Sequence, residues 1–339
     1  MKGTILGIDL GTTNVKICAA PNKQIYCEKN VIALENEVKL YSFGDDAYDM
    51  YEKVPDNITV TFPIKDGVIA DYKNMREIMV NLLTKYFSNK LKGANILIAV
   101  PTDITEVEKR AYFDLVSSSK IKFGSIMVCE KPIAAAIGLD LPINTATGMF
   151  VVDLGADTTE VSVLSLGGIV LSQLIKVGGN KMCENIIAAV KKEHSLLIGV
   201  KTAGKLLSEI GYATDIEEAS MKVVGRNMIT GFPTTIEISS ELVYDAIKDN
   251  LVSICESLKF ILERTPPELT SDIIENGIYL TGGVSQIKNI DVLFSRETEL
   301  EVKLSNTPIE NVAIGLEKIA SDRELNSLAY TMGGKASKH

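Results

Sequence analysis

Two stretches of the sequence place an aspartate, a glycine and threonines directly after an apolar run. The first is Ile5-Leu6-Gly7-Ile8-Asp9-Leu10-Gly11-Thr12-Thr13-Asn14, and the second is Phe150-Val151-Val152-Asp153-Leu154-Gly155-Ala156-Asp157-Thr158-Thr159. In each, a strand runs into an Asp-Leu-Gly turn, and a second β-rich segment follows. A turn of small residues presents backbone N–H groups that can hold phosphate oxygens. An aspartate at the strand end can hold magnesium through water molecules.

A plain β-hairpin would also use glycine, threonine and asparagine in its turn. For a single copy the two interpretations carry about equal weight. Two copies, each opening one half of the chain, favour phosphate binding. The repeat therefore predicts duplicated α/β domains that face each other across a nucleotide.

The segments around the repeats predict the helices and strands that must position these turns. Apolar runs, caps and prolines indicate a strand over Asn95–Val100, a capping box at Thr105 and Glu108, a helix with Pro132 in its first turn, a helix from Gly178-Gly179-Asn180 to about Lys192, and a long helix from Ser239 to before Thr265. The chain is thus expected to mix helices and strands throughout.

Composition excludes several classes of function. A length of 339 residues favours two domains, and a net charge of −9 argues against a nucleic-acid partner and against electrostatic attraction to anionic lipid. Two histidines and five cysteines without a Cys-x-x-Cys pair indicate neither a metal centre of these residues nor thiol chemistry. Since Met1 to Thr4 lead directly into a strand-like segment, we expect no signal peptide and a cytoplasmic location.

Further distinctive stretches occur in a fixed order along the chain. They are Asp66–Tyr72, Ile104–Glu108, Ser165–Val170, Glu263–Leu269 and Leu280–Gly283. With these stretches the chain resembles the MreB family of bacterial actin-like, rod-shape-determining proteins, within the superfamily of actin, heat-shock ATPases and sugar kinases. The similarity extends over nearly the whole chain.

The resemblance implies an α/β, actin-like ATPase fold of two RNase H-like domains, each with a small subdomain. The implied boundaries are 1–29, 68–145 and 309–330 for subdomain IA, 30–67 for IB, 146–180 and 243–308 for IIA, 181–242 for IIB, and 331–339 for a flexible tail.

The resemblance also implies ATP or ADP with magnesium in the cleft. Nucleotide contacts are expected from Asp9, Gly11, Thr12, Thr13, Asn14, Lys16, Asp153, Gly155, Ala156, Asp157, Thr158, Gly178, Gly179, Gly204, Leu207, Gly282, Gly283 and Val284, and magnesium is expected at Asp9 and Asp153 through water. Lys16 stands where actin has a phosphate-contacting lysine. The alternative is that Lys16 is a solvent-facing residue of the strand. Implied partners are further copies in head-to-tail filaments, other MreB-type proteins and cell-shape membrane proteins, with a role in cell shape and wall synthesis.

The catalytic segment departs from the family. Where MreB-like proteins have Glu-Glu-Pro, with the second glutamate orienting the attacking water, this chain has Glu130-Lys131-Pro132. A lysine ammonium cannot accept a proton from water, and losing such a group costs about 10²–10⁴ in rate. Glu130 is the alternative acceptor. Because it is the neighbour of Lys131 at the strand end, its side chain should point in a different direction. We predict weak or absent ATP hydrolysis, against the alternative of an altered but working ATPase.

Other departures surround the nucleotide contacts. The family has glycines at Ala156 and Asp157, glutamate and lysine at Gly204 and Leu207, a third glycine at Val284 and aspartate at Asn180. We predict that Asp157 brings negative charge close to the phosphates and that Lys131 pairs with it.

Membrane attachment and two other function classes complete the expectations. In the link from Ser88 to Ala94, Leu91 is the one large apolar residue. Little apolar surface is therefore available to enter a bilayer, and membrane binding should be weak or indirect. The alternatives to a filament protein are a non-polymerising, chaperone-like regulator of a partner and, less favoured, a small-molecule kinase.

Overall fold

The computed structural model describes residues 4–21 and 23–331 and divides into two compact units. Unit 1 contains Met1–Thr147, Leu164–Ser172 and Ile309–His339, and unit 2 contains Gly148–Val163 and Gln173–Pro308. Apart from Thr331, the predicted flexible tail lies outside the described residues. The finer division into four subdomains stays a prediction.

Unit 1 is built on a five-stranded sheet with the strand order β10-β9-β1-β2-β3. Its strands are β1 (Ile5–Leu10), β2 (Asn14–Ala20), β3 (Gln24–Lys29), β9 (Asn95–Val100) and β10 (Ile126–Glu130). The first three form an antiparallel meander, whereas β9 runs parallel to β1 and β10 runs parallel to β9. Because β1, β9 and β10 are parallel, their carboxyl ends lie at the same end of the sheet, and the residues that follow these three strands come close together there.

Smaller elements complete unit 1. They are strands β4 (Ile32–Glu35), β5 (Lys39–Phe43), β6 (Ile58–Thr61), β7 (Ile64–Lys65) and β8 (Val68–Ile69), and helices α1 (Asp45–Met50), α2 (Tyr72–Phe87), α3 (Glu106–Ser117), α4 (Lys131–Gly138) and, near the end of the chain, α10 (Asn311–Ser321). The predicted capping box is confirmed, since Thr105 Oγ1 accepts from Glu108 N while Glu108 accepts from Thr105 N.

The second five-stranded sheet has the order β13-β12-β11-β17-β18. The elements of this half of the fold are strands β11 (Met149–Leu154), β12 (Thr159–Ser165), β13 (Gly168–Ile175), β14 (Leu196–Leu197), β15 (Ser220–Asn227), β16 (Pro233–Ser239), β17 (Ile278–Thr281) and β18 (Val302–Leu304), and helices α5 (Gly179–His194), α6 (Val200–Ile210), α7 (Ser240–Arg264), α8 (Pro267–Asn276) and α9 (Ile290–Thr298). Strand β17 is parallel to both β11 and β18. The predicted helices from Gly178 and Ser239 are α5 and α7.

The two large sheets repeat one plan. In each, the first of three consecutive strands ends in the repeated Asp-Leu-Gly segment, and two later strands extend the sheet on the other side of that first strand. The duplication predicted from the sequence is therefore present at the level of strand order.

The central strands of the first sheet are fully buried. Every residue of β1 and β9 is buried, as expected for strands covered on both faces. No helix in the described part of the chain is long and apolar enough to span a membrane.

Two glycines let α4 lie close against α10 within unit 1. An added Cβ at Gly315 would lie 1.7 Å from the carbonyl oxygen of Ala134, and one at Gly138 would lie 2.0 Å from that of Asn311. Only glycine permits such approach of two helix backbones. This contact fixes α4, and therefore the residue that begins it, Lys131.

Candidate nucleotide-binding loops

The first candidate loop, residues 9–14 and called loop 1 here, joins β1 to β2. Gly11 N donates to Asn14 O at 3.0 Å and closes the turn. An added Cβ at Gly11 would lie 2.9 Å from that same oxygen, so the turn requires glycine. Thr12 and Thr13 stand at its apex and are partly exposed. The loop thus offers accessible backbone and hydroxyl groups on a rigid base.

Asn30 holds loop 1 from behind. Its Nδ2 donates to Gly11 O at 2.8 Å, its backbone N donates to Thr13 O at 2.9 Å, and the residue is fully buried. Sequence reasoning missed it. The strand pairing could have indicated it. In the pairing of β3 with β2, Lys29 lies opposite Asn14, so the next residue, Asn30, must lie beside loop 1.

Asp9, at the end of β1, lies between two lysine side chains. Its Oδ2 accepts a hydrogen bond from Lys16 Nζ at 2.8 Å, and its Oδ1 lies 3.5 Å from Lys131 Nζ. Oδ1 is buried and accepts no hydrogen bond in the described part of the chain. Burial by itself raises the pKa of Asp9, but the charges of Lys131 and Lys16 outweigh it and hold this pKa at about 2. The carboxylate is therefore ionised and matched by two cations.

The positions of both lysines follow from the strands. Lys16 lies directly opposite Asp9 in the β1–β2 register and is only 8% exposed, so the solvent-facing interpretation of this lysine is wrong. Lys131 follows β10, whose carboxyl end lies at the same sheet edge as that of β1. Pro132 lies in the first turn of α4, as predicted.

Glu130, the alternative acceptor for catalysis, is occupied elsewhere. Its Oε1 accepts from Tyr330 Oη at 2.6 Å and lies 3.7 Å from Lys109 Nζ. The backbone of Tyr330 pairs with Val128, which holds the phenol in place. Glu130 is thus committed to a structural cluster, as its position next to Lys131 on the strand end predicts.

The surroundings of Asp9 do not fit a magnesium ion. Magnesium in proteins is held by carboxylates and water oxygens, whereas Asp9 already faces two ammonium groups that would repel a dication. In the described part of the chain, no cluster of three or more His, Cys, Asp or Glu side chains could hold a metal. Magnesium at Asp153 stays a prediction.

The second candidate loop, residues 153–158 and called loop 2 here, joins β11 to β12 and repeats the closure of loop 1. Gly155 N donates to Thr158 O at 2.9 Å, and an added Cβ at Gly155 would lie 2.8 Å from that oxygen. Ala156, Asp157 and Thr158 are partly exposed. The two copies recognised in the sequence thus have the same backbone hydrogen bond.

The start of α5 packs directly on loop 2. Gly179 N donates to Gly155 O at 3.2 Å, and Asn180 N donates to Ala156 O at 2.7 Å. Asn180 Nδ2 donates to Asp157 Oδ1 at 2.7 Å. Gly178 must be glycine because an added Cβ would lie 2.5 Å from Ala156 O. The two departures Asp157 and Asn180 are therefore structurally paired.

Gly282 brings a third segment to the same sheet edge. It has φ +87°, and an added Cβ would lie 2.3 Å from Leu154 O and 2.5 Å from Asp153 Oδ1. Gly283 has open space, whereas Val284 is buried with a methyl group 3.1 Å from the position of a Cβ on Gly179. Valine in place of a third glycine thus fills space between this segment and α5.

Two of the predicted nucleotide contacts, Gly204 and Leu207, lie on α6. An added Cβ on Gly204 would meet nothing within 4 Å, and Leu207 is buried at 8% exposure. These positions carry no polar side chain that could bind a nucleoside. Their role in nucleotide binding stays a prediction.

Comparisons with known proteins agree with this architecture. A family model described as MreB/Mbl protein matches residues 3–327. The chain is 37% identical to the cell shape-determining protein Mbl of Bacillus cereus, with 91% of this chain and 93% of Mbl covered. It is 36% identical to the cell shape-determining protein MreB of Escherichia coli K12, with 91% of each chain covered.

Solved structures give the same result. MreB5 of Spiroplasma citri bound to AMPPNP is similar at a TM-score of 0.88 and 31% identity, covering 94% of this chain and 96% of that one. The double helical filament of MamK, at 21% identity and a TM-score of 0.79, shares the fold.

The two sheets and the similarity to MreB5 show that the chain has the actin-like ATPase fold, an α/β fold, as predicted. Within that class, the chain belongs to the MreB/Mbl family. Its role is accordingly that of an MreB-like cytoskeletal protein.

Proposed function

We propose that this chain binds ATP or ADP through loops 1 and 2, assembles into filaments that organise cell shape and wall synthesis, and hydrolyses ATP slowly or not at all. Support for nucleotide binding comes from the glycine-closed turns and from MreB5 of Spiroplasma citri, which was solved with AMPPNP and with ADP. Support for assembly comes from the family and from the MamK filament.

The observation that carries the hydrolysis proposal is the position of Lys131. Its ammonium group lies 3.5 Å from Asp9 Oδ1, at the start of α4 where the family has the water-orienting glutamate. An ammonium group donates hydrogen bonds and accepts none. Glu130 Oε1 already accepts from Tyr330 Oη and lies beside Lys109 Nζ, and both contacts make this carboxylate a weaker base for the proton of an attacking water.

Phosphate release by the purified protein tests this directly. The wild type should release phosphate at a rate close to background, and Lys131→Glu should raise that rate at least tenfold, part of the 10²–10⁴ that such a group contributes. Lys131→Met is the matched control, because it removes the charge without adding an acceptor and should stay slow.

Two results would contradict the hydrolysis proposal. One is a wild-type rate equal to that of its relatives that is unchanged in Lys131→Glu. The other is an equal gain in Lys131→Met, which would assign the effect to loss of the cation rather than to a restored acceptor.

Filament assembly is tested by pelleting and electron microscopy with ATP, with ADP and without nucleotide. Nucleotide-dependent filaments are expected, alone or mixed with other MreB-type proteins. A stable partner complex without polymer would instead favour the non-polymerising regulator, and phosphorylation of a small molecule would favour the kinase.

Direct membrane binding should be weak, with attachment through cell-shape membrane proteins. Leu91, the apolar residue of the Ser88–Ala94 link, is 6% exposed and packs in the core of unit 1. Ile229 and Phe232, between β15 and β16, are exposed apolar side chains on unit 2. Sedimentation with liposomes that is strong in the wild type and lost in Ile229→Asp would overturn this expectation.

A further inference from the structure

Loops 1 and 2 hold the same carbonyl group by different donors. In loop 2, Gly155 O accepts a hydrogen bond from the backbone N–H of Gly179 at 3.2 Å. In loop 1, Gly11 O accepts from the side-chain amide of Asn30, whose Nδ2 lies at 2.8 Å. Gly179 and Asn30 both belong to the segment that follows the third strand of their sheet, β13 in one case and β3 in the other. In loop 1 a side chain therefore makes the contact that the main chain makes in loop 2.

The hydrogen bonds from Asn30 fix the direction in which the peptide groups of loop 1 point. Its side chain holds Gly11 O, and its backbone N–H holds Thr13 O at 2.9 Å. A trans peptide is planar, so its N–H points away from its C=O. The N–H groups of Thr12 and Asn14, which belong to these two peptides, are thereby directed away from Asn30. A phosphate-binding loop needs N–H groups turned toward the phosphate oxygens, whereas carbonyl groups turned that way would repel them.

The amide of Asn30 can face Gly11 in one orientation only. The residue is fully buried, and its Oδ1 accepts no hydrogen bond in the described part of the chain. Turning the amide over would set this oxygen against Gly11 O, which is also an acceptor. A buried polar atom without a partner costs free energy. Packing alone therefore does not favour asparagine at this position, whereas the donation to Gly11 does.

The segment that carries Asn30 is anchored independently of loop 1. Glu28, two residues earlier, is buried, and its Oε2 accepts from Asp45 N at 3.0 Å at the start of α1. Its Oε1 accepts from the side chains of Lys85 and Tyr86 near the end of α2. Contacts with two helices thus fix the end of β3, and Asn30 holds loop 1 against this support.

We infer that Asn30 is a positioning residue for phosphate binding, which turns the carbonyl groups of loop 1 toward itself so that the N–H groups of the loop face the phosphate chain. The inference rests on the proposed nucleotide binding. Asn30 is buried behind the loop and acts through Gly11 and Thr13. Without its side chain, the peptide between Gly11 and Thr12 loses a hydrogen bond and gains freedom to rotate. Binding must then order this peptide, which lowers the affinity.

Calorimetric titration of the full chain with AMPPNP, combined with thermal unfolding, tests the inference. Asn30→Ala should weaken binding about tenfold or more. Asn95→Ala is the matched control. Asn95 is also a buried asparagine of unit 1, and its Oδ1 accepts from Ser125 N at 3.0 Å at the start of β9, the opposite end of the sheet from loop 1. This variant should lower the Tm as Asn30→Ala does, but its Kd should stay within about twofold of the wild-type value.

Asn30→Leu separates the hydrogen bond from the packing. Leucine has nearly the same shape and fills the site but cannot donate to Gly11 O, so it should weaken binding as much as alanine does, and it provides a second variant if Asn30→Ala does not fold. Wild-type affinity in Asn30→Leu or Asn30→Ala, or an equal loss in Asn95→Ala, would overturn the inference and leave nucleotide binding standing. An absence of AMPPNP binding by the wild type would overturn the proposed nucleotide function itself, so the two failures are distinguishable.

Discussion

Loops 1 and 2 have the same backbone but neutralise their acidic side chains differently. Each loop is closed by a glycine N–H that donates to a carbonyl three residues later, at 3.0 Å in loop 1 and 2.9 Å in loop 2. In loop 1 the carboxylate of Asp9 is buried between two lysines, whereas in loop 2 the carboxylate of Asp157 accepts from the neutral amide of Asn180.

This difference shows where the chain has changed its chemistry. Loop 2 has gained a carboxylate and an amide that form a hydrogen bond with each other. Loop 1 has gained a cation in a buried position, where electrostatic interactions are strongest. Function should therefore respond to changes in loop 1 more than to changes in loop 2.

The largest effect on stability should come from Gly282→Ala, which breaks the base of loop 2. The residue has φ +87°, and the new methyl group would lie 2.3 Å from Leu154 O, so backbone must move. We expect a loss of about 4 kcal/mol in the free energy of unfolding, measured with urea. Gly283→Ala is the matched control, since its methyl group would meet nothing within 4 Å. Equal losses in both variants would contradict the close approach at Gly282.

Asp9→Asn should cost roughly 2 to 3 kcal/mol of unfolding free energy at neutral pH, because it removes the buried negative charge that faces two ammonium groups. The folded-state pKa of Asp9 is about 2, below the ordinary value of 3.8. A lowered pKa contributes stability that is present above about pH 4 and is lost as pH falls toward 2.

Urea unfolding between pH 3 and pH 7 checks this dependence on pH. The difference in unfolding free energy between the wild type and Asp9→Asn should shrink by about 1 kcal/mol or more on going to pH 3. Asp56→Asn changes an exposed aspartate and should show no such trend. A difference that stays constant with pH would contradict the ion pairs at Asp9.

Gly11→Ala and Gly155→Ala test whether the two backbones are equivalent. Their methyl groups would lie 2.9 Å and 2.8 Å from the carbonyl oxygens that close the turns. Each should cost about 1 to 2 kcal/mol of unfolding free energy, and the two losses should agree within about 0.5 kcal/mol. A twofold disparity would show that one loop relaxes where the other cannot.

Much of this architecture was predictable from the sequence, because the turn and cap residues agree with the spacing of the apolar residues around them. The Asp-Leu-Gly repeats, the capping box at Thr105 and the cap at Ser239 all lie where the sequence placed them. These signals need only neighbouring residues, and no distant contact overrides them.

Contacts between distant segments were beyond sequence reasoning. The partners of Lys131 and Glu130 are set by a parallel register and by Tyr330, which lies 200 residues along the chain from Glu130. Asn30 acts through a strand meander, and nothing in its immediate neighbours marks it. Side-chain partners of this kind depend on tertiary placement, which a local pattern does not encode.

The smallest effect should come from Asn180→Asp, which places a second carboxylate beside Asp157. It removes the 2.7 Å hydrogen bond between these residues and adds repulsion, while the start of α5 favours the new charge. The net loss should be about 0.5 kcal/mol, and it should fall in high salt because the pair is exposed. The double variant with Asp157→Asn exchanges the two groups and should recover the loss, giving a coupling of about 1 kcal/mol in a double-mutant cycle. Additive changes would mean that the amide of Asn180 does not do in loop 2 what the lysines do in loop 1.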